Sequence, residues 1–198
     1  DPLSGIIRRS YPYVLAHEKV EDCIDRIAEY EEDSLPVLTE EDLEFQSLPY
    51  TYIGSRNRKL YNLWPNDEQA DIAVQKDPVA FTRWDNGEPS DKPLFVLPAS
   101  EELPTTYNLY MGGDFGETIL DTDRPELPNV LVFGDSFTNA LETLLYASFN
   151  EMHSLDLRYY TEQSLKDYIA AYQPDLVLSV QNDTFYYTEG GNNAVWED

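Results

Sequence analysis

Apolar and polar residues follow three rhythms along this chain. In "EKVEDCIDRIAEY", Val20, Cys23, Ile24, Ile27 and Ala28 recur at three- and four-residue spacing, which predicts an amphipathic helix over residues 16–31. The charge, Ser and Pro of "EEDSLP" end it. Thr39 followed by Asp42 marks a second, short helix start. From 45 to 111 the helical period disappears. Aromatic and β-branched runs ("YTYIGS", "KLYNLW", "DIAVQ", "VAFTRW", "PLFVLP", "TYNLYM") alternate with Pro, Asn, Asp and Gly, predicting short strands and loops. Among them "WDNGEPSDKP" is a turn signal, because Asn86-Gly87 adopts positive φ readily.

The third rhythm starts near residue 129. "NVLVFGDS" is a short apolar run bounded by turn residues, and "FTNALETLLYASFN" sets Ala140, Leu144, Leu145 and Phe149 near one helical face. "HSLDLRYY" supplies a second strand. Ser164 with Asp167 opens a helix through "SLKDYIAAY", and Pro174-Asp175 leads into the strand "LVLSV". The order β-α-β-α-β predicts a parallel, doubly wound sheet. Such a sheet needs cover on both faces, which neither half of the chain supplies alone, so 1–198 is expected to form one α/β domain with a strand-rich insertion.

Composition narrows the function. With 198 residues, 41% of them hydrophobic, the chain can bury a real core. Its 38 acidic and 13 basic residues give a formal net charge of -25, which disfavours nucleic acid and anionic membrane surfaces as partners. A sugar or an acyl ester meets no such objection. The single cysteine, Cys23, forms no internal disulfide and fits a buried structural thiol. No apolar run is long enough for a transmembrane helix, and no signal peptide is evident. "LDTDRPE" lacks the alternating ligands of a calcium loop, and there is neither zinc spacing nor a Gly-rich phosphate loop, so no metal or organic cofactor is expected. Arg158 in "DLRYY" is expected at a strand end, paired with a carboxylate.

The candidate chemistry sits at strand ends. Gly134-Asp135-Ser136 falls beyond the carboxyl end of a parallel strand, where such sheets bind ligands. Ser136 is then either a nucleophile at the positive end of a helix or, with Asp135, a helix cap. Asn182, in "LVLSVQNDTFYY", is either an oxyanion donor at a neighbouring strand end or a turn residue.

Gly134-Asp135-Ser136 followed by Asn182-Asp183 resembles the first and third sequence blocks of the SGNH hydrolases. More narrowly, "YMGGDFGETIL", "VLVFGDSFTNAL", "SLDLRYY" and "PDLVLSVQND" resemble the C-terminal part of that superfamily's DHHW and alginate O-acetyltransferase-like branch. The resemblance covers about the last 90 residues and implies a flavodoxin-like α/β fold. It makes Ser136 the nucleophile and Asn182 an oxyanion residue, with Gly112 or Gly113 beside them as a second donor. Val180 stands where the third block carries glycine. The branch places an Asp-x-His-Trp motif upstream of the serine, and His17 stands at a comparable place, before a helix and ahead of "YTYIGSRNRKLY". Leu15 and Glu18 replace its Asp and Trp. His153, the other histidine, is expected in the strand after the nucleophile helix, pointing away from the serine.

What the resemblance implies is a serine esterase or O-acetyltransferase of the bacterial cell envelope, acting on acyl esters of cell-surface polysaccharide, with a membrane-bound acyl-transfer protein as partner. Ser136 would attack the ester, His17 would take its proton, and the N–H groups of Ser136 and Gly113 with Asn182 would hold the oxyanion. The rival is a catalytically inactive relative serving as a carbohydrate-binding or envelope-assembly module. The start at Asp1 leaves room for a third case, in which 1–198 is the C-terminal part of a longer chain whose upstream segment supplies the Asp–His pair.

Overall fold

A run of apolar residues buried on both faces belongs at the centre of a covered sheet. Val130, Leu131 and Val132, each with 0% exposure, occupy that place. In the computed structural model, which describes residues 40–60, 63 and 68–182, the elements are β1 (Leu43–Thr51), α1 (Ser55–Lys59), β2 (Gln69–Gln75), β3 (Thr82–Asp85), β4 (Glu88–Pro89), β5 (Glu117–Asp121), β6 (Val130–Gly134), α2 (Phe137–Leu145), β7 (Glu151–Asp156), α3 (Leu165–Tyr172) and β8 (Leu176–Val180). The expected helix at 16–31, with His17 and Cys23, lies outside the described residues, as does Asp183.

β1 and β2 form an antiparallel pair. The other strands make one sheet in the order β4-β3-β5-β7-β6-β8. Only β7-β6-β8 is parallel, while β4, β3, β5 and β7 pair antiparallel in turn. The sheet is therefore mixed, which corrects the expected parallel sheet: three of the six strands run parallel. The chain steps from β6 to β7 on one side and then crosses back to β8 on the other. Two crossovers of one hand in opposite directions put their helices on opposite faces. Met152, Ser154, Val130 and Val132 lie on the α2 side, and His153 lies under Tyr168 and Tyr172 of α3.

Local signals explain several elements. Asn86 (φ 51°) and Gly87 (φ 78°) make the tight β3–β4 turn between Asp85 and Glu88. Ser164 caps α3, its Oγ accepting the Asp167 N–H and donating to the Asp167 carboxylate. "PLFVLP" and "TYNLYM" form no strands. They meet only in a bridge between Phe95 and Tyr110, with a 3-10 turn at Tyr107–Leu109, because Pro93, Pro98 and Pro104 bring no N–H to a ladder.

Several acids are buried, and the one on the helix face of the core is Glu142. Glu142 of α2 is 2% exposed and accepts a hydrogen bond from Ser154 of β7. Burial pushes its carboxyl up from the ordinary glutamate range, more than its hydrogen bonds from Ser154 and Thr138 pull it down. The folded protein thus holds this proton more tightly than the unfolded chain. That stabilisation is complete below the unfolded value and is lost as pH rises through the folded one. Glu142→Gln should therefore match the parent in urea melts near about pH 4 and exceed it near about pH 8. An advantage that shrinks with rising pH would contradict a neutral buried acid.

Candidate active site

Register brings five strand ends to one edge of the large sheet. Asp85 of β3 faces Thr118 near the start of β5, Glu117 of β5 faces Leu155 near the end of β7, and Gly134 of β6 faces both Asp156 of β7 and Val180 of β8. The segments that leave this edge are Asp135-Ser136 after β6, Leu157-Arg158 after β7, Gln181-Asn182 after β8, and Gly112–Gly116 before β5.

At its centre the capping bond is made by Asp135. This residue is 2% exposed, and its Oδ1 accepts the Phe137 N–H at 2.9 Å, satisfying an orphan donor of α2. Its Oδ2 accepts the Asn182 N–H at 2.8 Å and ties the end of β8 to the same turn. Ser136 occupies the N-cap position, with φ −57° and ψ −9°, but makes no side-chain capping bond. Its hydroxyl is partly exposed and has no hydrogen-bond partner among the described residues. The structure thus places Ser136 and Asn182 at neighbouring strand ends, joined by Asp135.

The glycine turn is tied to α2 through Gly113. Met111, Gly112 and Gly113 have φ of 58°, 80° and 113° in succession. The Gly113 N–H donates to the Tyr110 carbonyl at 3.2 Å, closing the turn, and its carbonyl accepts from Asn139 Nδ2 of α2 at 3.4 Å. The bonds of Gly113 thus hold the turn in place. Gly112 N–H makes no hydrogen bond among the described residues. Asn139 Nδ2 also donates to Asp114 Oδ1 at 2.9 Å. Asn139 was detectable in the sequence as an amide inside an apolar helix, a place where such a group needs a specific partner.

His153 lies on the far face of the sheet. Its ring stacks on Tyr172 at 3.7 Å, and its Nδ1 meets the Tyr168 hydroxyl, which in turn donates to Glu117 at 2.7 Å. Its Nε2 lies 3.4 Å from Glu151 Oε1. Burial pulls the imidazole below its usual value, against the opposing pull of Glu151. His153 is a core residue with no route to Ser136 through the sheet, and His17 lies outside the described residues.

Arg158 lies two residues past the end of β7, between two carboxylates as expected. Nε donates to Asp156 Oδ1 at 2.9 Å, and Nη2 donates to Asp156 Oδ2 at 2.5 Å and to Asp114 Oδ2 at 2.8 Å. Its hydrogen bonds to Asp156 hold the guanidinium even more firmly charged than usual. Among the described residues no group of His, Cys, Asp and Glu is arranged to hold a metal ion, and no helix is long and apolar enough to cross a membrane.

No family model and no curated protein sequence matches the chain. Solved structures do. Bacillus cereus PatB1 is similar with a TM-score of 0.64 and 25% identity over 82% of this chain. The same protein with a sulfonyl adduct gives 0.63 and 22% over 82%. A DHHW family protein from Eubacterium siraeum gives 0.63 and 18% over 86%. These matches cover 56%, 54% and 56% of the solved chains, so the present chain spans little more than half their length. The fold shared with these proteins is α/β, with helices flanking a mixed sheet.

Proposed function

We propose that this is an SGNH-type serine acyl-transfer domain of the DHHW and alginate O-acetyltransferase-like branch, with a flavodoxin-like core formed by β7-β6-β8. Its substrates are acyl esters of bacterial cell-surface polysaccharide. The observation that carries the proposal is Asp135: by taking both the helix cap and the Asn182 tether, it leaves the Ser136 hydroxyl without an intramolecular task among the described residues. In the reaction, Ser136 Oγ bonds to the acyl carbon while its proton passes to the base assigned to His17. The oxyanion is held at the N-terminus of α2, with Asn182 beside it. Collapse expels the alcohol, which takes the proton from the base. The acceptor hydroxyl, or water in an esterase, then attacks the acyl-serine as its proton passes to the base; the bond from the acyl carbon to Ser136 Oγ breaks, and Oγ takes that proton back. The likeness in fold to PatB1, which has been solved with a sulfonyl adduct, supports this reading.

The second reading, an inactive glycan-binding or envelope-assembly module, is favoured by one observation: His153 is buried beneath α3, away from Ser136. Labelling by a serine-directed fluorophosphonate, followed by intact mass, separates the two. A single adduct on the parent chain is expected, lost in Ser136→Ala and in His17→Ala. A folded parent that takes no label, or a Ser136→Ala protein that still does, would overturn the acyl-transfer reading.

A further inference from the structure

We infer that Arg158 is a positioning residue for Ser136: from the end of β7 it locks the glycine turn against the nucleophile helix through Asp114. The inference rests on Ser136 being the nucleophile.

The argument begins with the turn. Two consecutive glycines at φ 80° and 113° have no side chains to pack, so the position of Gly112-Gly113 is set by what grips its flanks. On one flank the Met111 carbonyl accepts from buried Arg83 at 2.7 Å. On the other, Asp114 is gripped twice. Its Oδ2 meets Arg158 Nη2 at 2.8 Å and its Oδ1 meets Asn139 Nδ2 at 2.9 Å. Asn139 is 5% exposed and donates its own N–H to the carbonyl of Ser136 at 3.2 Å. A continuous path therefore runs from Asp156 through Arg158, Asp114 and Asn139 to the backbone of Ser136.

The chemistry of this path calls for arginine. Asp156, 4% exposed, and Asp114 both face the same guanidinium and would repel each other without it. The planar fork engages both oxygens of Asp156 while one nitrogen still reaches Asp114. A lysine supplies the charge but not this geometry. With Arg158 removed, the Asp114 flank comes loose, and the turn beside the site drifts while the sheet beneath it stays in place. Misplacement on the ångström scale slows a positioned reaction by up to about 100-fold.

The test is the time course of fluorophosphonate labelling, resolved into reagent affinity and maximal rate, in the parent, Arg158→Ala, Arg158→Lys, Asp114→Asn and the Arg158→Ala/Asp114→Asn double variant. Arg158→Ala should lower the maximal rate about 10- to 100-fold with affinity nearly unchanged, and Arg158→Lys should recover little of it. The double variant should be no slower than the slower single one, because both act through one path. Added guanidinium ion should speed Arg158→Ala and leave the parent unchanged, a response that mere loss of stability does not give. Folded Arg158→Ala or Asp114→Asn protein labelling at the parental rate, or losses that multiply in the double variant, would overturn the positioning role and leave the Ser136 reading intact. A folded parent that never labels would overturn both.

Discussion

Gly134→Ala should unfold or severely weaken this domain, with a loss of about 4 kcal/mol or more and a fall in melting temperature of about 10 °C or more. The reason is the approach of β8. A Cβ built on Gly134 would lie 1.8 Å from the Val180 carbonyl oxygen and 2.7 Å from its carbon. Both are backbone atoms of the neighbouring strand and cannot swing aside as a side-chain tip can. The strands would have to part at the point where Asp135 reaches across to the Asn182 N–H. Stability and labelling at Ser136 should therefore fall together. Gly87→Ala is the contrasting case: its φ is 78°, yet nothing lies within 4 Å of the added Cβ. It should cost only about 1 kcal/mol of backbone strain. Thermal melts of the two variants measure the difference, and equal losses would show that contact with β8 is not what requires glycine at 134.

The same close approach bears on how much of the molecule can be read from its sequence. The segment β6-α2-β7-α3-β8 is legible because its signals are local: an apolar run with glycine at the end, a helical period after Ser136, and Ser164 with Asp167 at the start of α3. β5 is different. Glu117–Asp121 is a short stretch with acids at both ends, and it becomes a strand by inserting between β3 and β7, partners distant in sequence. No local pattern marks a strand there, and the strands that are marked beyond residue 129 all run parallel. "PLFVLP" fails in the opposite sense, since its apolar letters suggest a strand that flanking prolines cannot complete. At the site, strand-turn-helix geometry points to Ser136 from the letters alone, but the division of labour between Asp135 and Ser136 depends on the end of β8 being in place. The carboxylate Asp114 lies 44 positions before Arg158, and no local pattern couples them.

Arg83→Met should cost about 3 kcal/mol, a loss set by what the substitution leaves behind. The Arg83 side chain is 1% exposed and that of Asp85 8%, with Nε 2.9 Å from Oδ1. The guanidinium also donates to the carbonyls of Pro93 at 3.1 Å and Met111 at 2.7 Å. Replacing it with a thioether leaves Asp85 with the hydroxyls of Ser90 and Thr118 and with the Lys92 ammonium at 4.0 Å. That residual compensation keeps the expected loss at the lower end of the range for a broken buried pair. Removing both charges, as in Arg83→Met/Asp85→Leu, should recover most of the stability, because the desolvation penalty of Asp85 disappears with its charge. Labelling at Ser136 should not recover with it. Met111 is a non-glycine residue at φ 58° whose carbonyl has lost its buried donor, so the glycine turn stays slack even in a stable double variant. Urea unfolding together with the labelling rate separates the two roles. A single variant that loses less than about 1 kcal/mol would remove the buried pair from the account of stability, and a double variant that labels at the parental rate would remove Arg83 from the account of the turn.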